Sequence, residues 1–246
     1  MTAAAHAAPS QAPRGTPPAI PATPGRVCEW RDLGRLGYAE AWRVQLEHTE
    51  RLKAGADADV LLFVEHPHVV TLGRNAHESN ILASPERLAA LGVALEETDR
   101  GGDVTYHGPG QLVGYPLLDL KHWKRDVSAY MRALEEVLIR TLADYGLRGE
   151  REAGATGVWV EGAKVAAMGV HLSRWVTSHG FALNVDTDLS YFDHIIPCGL
   201  TRPVTSLERL LGEAPPRDEI RARILGHFGE VFGHTMQAAE QGEARP

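Results

Sequence analysis

The sequence predicts an α+β or mixed α/β domain, a mixed sheet with helices packed on it. Strand-like apolar runs interleave with amphipathic helical stretches, several of the strands join as hairpins, and 246 residues suffice for one full core, although length alone would equally allow two small domains. No internal repeat is visible.

In chain order, residues 1–26 are rich in alanine and proline, with no apolar core that could serve as a signal sequence, and read as a disordered tail. From residue 37 to about 54, Tyr38, Ala41, Trp42, Leu46 and Leu52 recur at three- and four-residue steps, and Gly55 follows as a stop signal. That is an amphipathic helix. Asp59–Glu65 is a short continuous apolar run, the mark of a buried strand, and Val69–Leu72 reads as the next. Between them, His66 and His68 are as readily surface residues as metal ligands, since no cysteine or carboxylate completes a ligand set. Ser84-Pro85 opens a short helix. Asp126 can cap a helix running to about Tyr145, with Tyr130, Leu134, Val137, Leu138 and Leu142 on its inner stripe. Residues 158–160 and 165–172 flank Glu161-Gly162 as a hairpin, so Lys164 starts its second strand. Residues 181–185 form another strand, Thr205-Ser206-Leu207-Glu208 a capping box, and Ile220, Ile224, Phe228, Val231 and Phe232 a last amphipathic helix. Beyond Gly233 the chain turns small and polar and is expected to be loose.

Composition narrows the function classes. No apolar run approaches the roughly 18 residues of a membrane helix, so the chain reads as soluble. A net charge of -7 argues against nucleic acid as a partner, because phosphate neutralisation needs a basic surface. Two cysteines, Cys28 and Cys198, fit a reducing cytoplasm better than a disulfide. The densest basic cluster is Lys121-His122-Trp123-Lys124-Arg125. It is either a solvated face or a docking patch for an acidic carrier.

The most informative stretch is Arg100-Gly101-Gly102-Asp103-Val104-Thr105-Tyr106-His107-Gly108-Pro109-Gly110-Gln111. Four glycines in twelve residues disfavour both helix and strand, so it reads as a binding loop aiming Thr105, Tyr106 and His107 from between two strands. Arg100-Gly101-Gly102, Thr105, His107, Pro109-Gly110-Gln111 and Tyr115 resemble the signature of the lipoyl(octanoyl) transferases. Three further blocks follow in order: Lys164-Val165-Ala166-Ala167-Met168-Gly169, then His179-Gly180-Phe181-Ala182-Leu183-Asn184-Val185, then Pro197-Cys198-Gly199. The likeness covers most of the chain from about Val27 to about Phe232.

This resemblance implies the catalytic-domain fold of biotin and lipoate protein ligases, as one mixed sheet in a single domain at 27–235 followed by a flexible tail at 236–246. It implies a cytoplasmic acyltransferase acting as a monomer without cofactor or metal. Its donor would be octanoyl-acyl carrier protein, and its acceptors specific lysines of lipoyl domains in 2-oxoacid dehydrogenase E2 subunits and of the glycine cleavage H protein, with no nucleic acid or membrane involved. The octanoyl or lipoyl group would rest on a cysteine between donor and acceptor.

Thioester exchange splits acyl transfer into two easier steps but needs a thiolate, and a free thiol with pKa about 8.5 needs a nearby cation. On the matching positions Cys198 is the nucleophile, while Lys164 lowers its pKa and moves protons. Acyl contacts are implied at Arg100, Gly101, Gly102, Asp103, Val104, Thr105, Tyr106 and His107. They are implied again at Ala167, Met168 and Gly169, and at Gly180, Phe181 and Ala182. Small residues there would leave a narrow apolar groove for eight carbons. Backbone N–H groups around Gly101, Gly102 and residues 167–169 are candidates to hold an oxyanion.

Three rivals remain. An ATP-dependent ligase shares the fold, but the loop lacks three consecutive glycines followed by His-Asp, since Gly108 succeeds His107. A non-enzymatic acyl-binding scaffold is the second. A papain-like protease is remote, because its cysteine precedes its histidine and starts a helix.

Overall fold

A computed structural model describes residues 25–55, 58–196 and 203–239. Among them are ten strands and five α-helices. The main sheet has seven strands in the order β10 (His234–Ala238), β1 (Arg26–Arg35), β2 (Asp59–Glu65), β6 (Gln111–Leu117), β9 (Val176–Asn184), β8 (Ala163–Ser173) and β7 (Gly157–Val160). β1 runs parallel to β2 and β10, and the other neighbours are antiparallel. A separate sheet holds β4 (Ala94–Glu97), β3 (Val69–Leu72) and β5 (Val104–His107), with β3 in the middle.

The apolar run of β2 is explained by its position. Successive side chains leave a strand on opposite faces. Leu61 and Phe63 pack beneath α3 (Val127–Ala143) and α5 (Arg217–Phe232) with Leu134, Leu138, Ile224 and Phe228. Leu62 and Val64 pack on the other face with Ala41 and Leu52 of α1 (Tyr38–Lys53). A strand covered on both faces has no room for a polar alternation. Each of these leucine, isoleucine, valine and phenylalanine side chains stabilises the fold by roughly 1.5–3 kcal/mol relative to exposure, and the Ala41 methyl by less. A third cluster, with Val70, Leu88, Val104, Tyr106 and Phe192, lies at the small sheet beside α2 (Pro85–Ala90).

Several expectations are corrected. The sheet is not single: Val104–His107, expected as a loop, pairs with β3 from Val69↔His107 to Leu72↔Val104. The buried stripe of α1 is Tyr38, Ala41, Gln45, His48, Thr49 and Leu52, whereas Leu46 is 46% exposed. His66 is fully buried, not a surface residue. The short helix α4 (Leu207–Leu211) is capped by Ser206, which accepts from Arg209 N–H, rather than by Thr205. Residues 236–238, expected in a loose tail, lie in β10, and Arg26, assigned to the disordered tail, begins β1 with a 2.9 Å ion pair to Asp59. Residues 1–24 of that tail, and residues 240–246, lie outside the described residues. Among the described residues no helix is long and apolar enough to cross a membrane.

Candidate active site

A cavity of about 310 Å³ lies where β8 and β9 meet the loop that follows β4. Its floor is set by strand register: Ala167 faces Ala182, Met168 faces Phe181, Gly169 faces Gly180 and Val170 faces His179. The small residues are sterically required. A Cβ on Gly180 would overlap the Gly114 carbonyl oxygen, one on Gly114 would enter the Phe181 ring, and one on Gly169 would stand 2.8 Å from the Gly101 oxygen. Overpacking of this kind has no side chain to displace where the obstacle is backbone.

The opposite wall is held by one guanidinium. Arg100 is 6% exposed. It donates from Nη2 to the Thr71 and Asp103 carbonyls, each at 2.7 Å, from Nε to Thr71 Oγ1 at 3.2 Å, and from Nη1 to the Gly101 carbonyl at 3.1 Å. Gly101 N–H in turn donates to the Val170 carbonyl at 2.8 Å and ties the loop to β8. That N–H is therefore committed to the fold and is unavailable to an oxyanion.

Strand periodicity sorts the next four positions. Thr105 and His107 of β5 line the cavity, while Val104 and Tyr106 face the small-sheet cluster. Tyr106 hydrogen-bonds His68 Nδ1 at 2.8 Å and stacks on Tyr191, with ring centroids 5.2 Å apart. The Asp103 carboxylate accepts from Val104 N–H at 2.8 Å and His77 N–H at 3.0 Å, and also bonds the Asn80 amide. So Arg100, Gly101, Gly102, Thr105, His107, Ala167, Met168, Gly169, Gly180, Phe181 and Ala182 come together at the cavity. Asp103, Val104 and Tyr106 brace it from behind.

One part of the wall is polar, and of its residues only His107 was expected at the site. Tyr38, His107, Tyr115 and His179 line it, with His66 and Asp99 behind. His66 bonds the Leu36 carbonyl at 2.8 Å and Tyr115 Oη at 2.7 Å, and burial pushes its pKa down to about 4. His107 bonds Gln111 Oε1 at 2.8 Å, and burial, with the neighbouring His66, pushes it to about 3. His179 has φ +56°, a region that non-glycine residues rarely adopt, and its N–H donates to Gln45 Oε1 at 2.8 Å. Its ring bonds Asp99 at 2.6 Å and Tyr38 Oη at 3.3 Å, and its pKa is lowered mainly by burial. Gln45 is buried on α1 because it supplies this acceptor.

Lys164 is 8% exposed, with Nζ 4.9 Å from the Trp159 ring centre. Its N–H donates to the Pro203 carbonyl, and its carbonyl accepts from Thr205 N–H, both at 2.9 Å. It lines a smaller cavity with Gln111 and Asn184 that shares Thr105 and Ala167 with the larger one. Cys198 lies outside the described residues, but the last residue before that segment, Ile196, bonds the Asn80 carbonyl, and Pro203, the first after it, is bonded to Lys164. The other thiol is a poor nucleophile: Cys28 is fully buried, and burial, then Asp59 and Glu29, push its pKa well up.

The chain matches the family described as lipoyl protein ligase A/B catalytic domain over residues 37–229. It is 58% identical over 211 residues to the octanoyltransferase of Solibacter usitatus (strain Ellin6076), a match covering 86% of this chain and 96% of that one. It is 53% identical over 204 residues to the octanoyltransferase of Chloroflexus aurantiacus (strain ATCC 29366 / DSM 635 / J-10-fl), covering 81% and 92%. Among solved structures, a lipoate-protein ligase A bound with ATP superposes with TM-score 0.70 at 17% identity, covering 89% of this chain and 90% of that one. A bi-partite lipoate protein ligase from Thermoplasma acidophilum superposes with TM-score 0.68 at 18% identity, covering 89% and 88%. These two likenesses bear on the fold alone, which is that of the lipoate protein ligase catalytic domain. The chain therefore belongs to the lipoyl protein ligase A/B catalytic-domain family and, within it, to the octanoyltransferases, which makes it an acyltransferase.

Proposed function

We propose that the protein accepts an octanoyl or lipoyl group from an acyl carrier protein on Cys198 and passes it to the ε-amine of one lysine on a lipoyl domain. In the first step the Cys198 thiolate attacks the carrier thioester, and the departing carrier thiolate takes a proton from Lys164. In the second, the acceptor amine attacks the enzyme thioester, the Cys198 thiolate leaves, and the proton lost by the amine returns to Lys164. The observation that carries this reading is that Lys164 and the small-residue floor share strand β8, with the two cavities joined at Thr105 and Ala167. From Ala167 to Val170 the strand rises about 10 Å. An extended eight-carbon chain is also roughly 10 Å long.

The acceptors on this reading are lipoyl domains of 2-oxoacid dehydrogenase E2 subunits and the glycine cleavage H protein. The Thermoplasma acidophilum ligase is itself described with its E2 lipoyl domain. The exposed cations Lys121, Lys124 and Arg125 just precede Val127 and Met131 of the cavity lining and suit an acidic carrier, mainly by speeding encounter. The protein works as a monomer in a reducing cytoplasm, where the thiolate persists, with one domain spanning 26–238.

Intact mass after mixing with octanoyl carrier protein tests the reading. Octanoate is expected on wild type, and Cys198→Ser should neither load nor transfer. Transfer that survives Cys198→Ser and consumes ATP would make the protein a ligase, and the absence of adduct and transfer in wild type would make it a scaffold. Lys164→Ala should slow loading and raise the pH at which Cys198 alkylates. An unchanged alkylation profile removes the lysine from the mechanism.

A further inference from the structure

Lys164 stands at a fork in the main sheet. The ladder between β8 and β9 runs from Ser173↔Val176 to Ala166↔Leu183 and goes no further. There β9 turns away, and the Val185 and Asp186 N–H groups both donate to the Gly110 carbonyl at 3.1 Å. On its other side β8 pairs Lys164 with Trp159 but Ala166 with Val158, so Val165 is an extra residue. A bulge of this kind re-aims the side chains next to it. The place that β9 leaves is filled by residues 203–205, which lie parallel to β8 with Val204 beside Lys164. This short stretch holds both main-chain polar groups of Lys164, through the Pro203 carbonyl and the Thr205 N–H.

What closes the fork is one side chain. Asn184, the last residue of β9, is 4% exposed, and its Nδ2 donates to the Thr205 carbonyl at 3.0 Å. A carbonyl can only accept, so the amide turns Oδ1 the other way, to Gln111 Nε2 at 2.9 Å. Gln111 is buried opposite Asn184 in the β6–β9 ladder, and its Oε1 accepts from His107 Nδ1 at 2.8 Å. One row of hydrogen bonds therefore runs from His107 on the larger cavity to Thr205, whose N–H meets the Lys164 carbonyl at 2.9 Å. Gln111 and Asn184 also line the smaller cavity beside Lys164. Buried and mutually satisfied, the two amides give the row a direction and a fixed geometry.

We propose that Asn184, backed by Gln111, is a positioning residue of the transfer reaction. Its side chain stitches the end of β9 to the stretch that clamps the Lys164 main chain. This fixes where the ammonium stands relative to the Thr105–Ala167 junction of the two cavities. The consequence for transfer rests on the proton-shuttling role of Lys164 given above, whereas the stitch itself does not. The bond from Glu208 N–H to the Val185 carbonyl, at 2.9 Å, joins main chain to main chain and is a fixed point for comparison.

Amide hydrogen exchange on the full chain reads the stitch directly. Asn184→Ala should speed exchange at Lys164 and Thr205 about tenfold, the worth of one buried hydrogen bond, with Phe181 and Glu208 unchanged. Should that variant fail to fold, Asn184→Ser, polar but too short to bridge Thr205 and Gln111, is measured in its place. In loading assays with octanoyl carrier protein the substitution should slow acylation about tenfold on its own and not at all in a Lys164→Ala background. A residue that acts through the lysine adds nothing once the lysine is gone. The substitution should also raise the pH at which Cys198 alkylates. If wild type does not load at all, the transferase reading fails, and exchange alone upholds or removes the stitch. With wild type loading normally, unchanged exchange at Lys164 and Thr205, or an equal loss of loading in both backgrounds, overturns the inference and leaves the transferase reading intact.

Discussion

The two walls of the cavity are built on opposed principles. The β8–β9 floor works by absence of side chain: glycine and alanine let main chains approach until nothing larger fits. The wall around Tyr38, His66, His107, Tyr115 and His179 works by absence of charge: each imidazole is buried where a second proton would be costly. Crowding is local and resists added volume, whereas the histidine wall resists protonation. The two should therefore fail under different insults.

The largest effect is expected on the floor. Gly180→Ala places a methyl against the Gly114 carbonyl and 2.5 Å from Pro116 Cδ, and a central strand cannot move away. We expect a loss of about 3 kcal/mol or more in urea unfolding, the upper end of overpacking. Gly169→Ala is milder, because its obstacle is the Gly101 carbonyl at 2.8 Å, carried on a loop that can shift. It should cost roughly 1 kcal/mol while still impairing loading. Equal losses for the two would erase the distinction between sheet and loop.

Acid should break the other wall. The pKa of His66 is about 4 and that of His107 about 3 in the folded chain, both lowered chiefly by burial. Unfolded histidine titrates near 6.5. Between about pH 6.5 and about 4 the unfolded chain binds protons that the folded chain refuses, so this stability is complete above the unfolded value and is lost as pH falls. The slope is at most about 1.4 kcal/mol per pH unit for each ring. Unfolding midpoints from pH 7.5 to 4.5 should fall in wild type and in Gly169→Ala alike, and less steeply in His66→Gln. A level wild-type profile would show that these rings are not held neutral by burial.

This contrast also explains what could be read in the sequence. β2, α3, α5 and the β7–β8 hairpin were legible because both faces of β2, the stripes of the helices and the turn at Glu161-Gly162, with φ 51° and 79°, follow from local rules. β1 and β10 were not. β10 closes one sheet edge and β1 adjoins it, and sequences such as RVCEWRDLGR and HTMQA carry the charges and polar residues of the rim instead of an apolar period. β5 was hidden by the glycines around it. In the site, the glycine loop and the small residues of β8 and β9 were visible through the resemblance. Of the histidine wall only His107 was named there, and its pairings were not legible, because they join residues far apart: Tyr38 to His179 spans 141 positions and His66 to Tyr115 spans 49. No spacing rule links such residues before the sheet brings them together.

The smallest effect belongs to the rim, which is part of neither wall. Val127 is 42% exposed and, with Met131 one turn on, borders the cavity from the N-terminal end of α3. That turn is held by Asp126, whose Oδ1 accepts from Ala129 N–H at 2.9 Å. Asp126→Ala removes the cap and leaves the inner stripe of Tyr130, Leu134, Val137 and Leu138 in place. Thermal unfolding should move down by only roughly 2–4 °C, the usual consequence of a lost cap in a chain of this size. Because a frayed first turn would loosen Val127 and Met131 while leaving Lys164 untouched, KM for octanoyl carrier protein should rise about twofold with kcat unchanged. A fall in kcat instead would mean that α3 reaches the reacting atoms, and the rim would then belong with the floor.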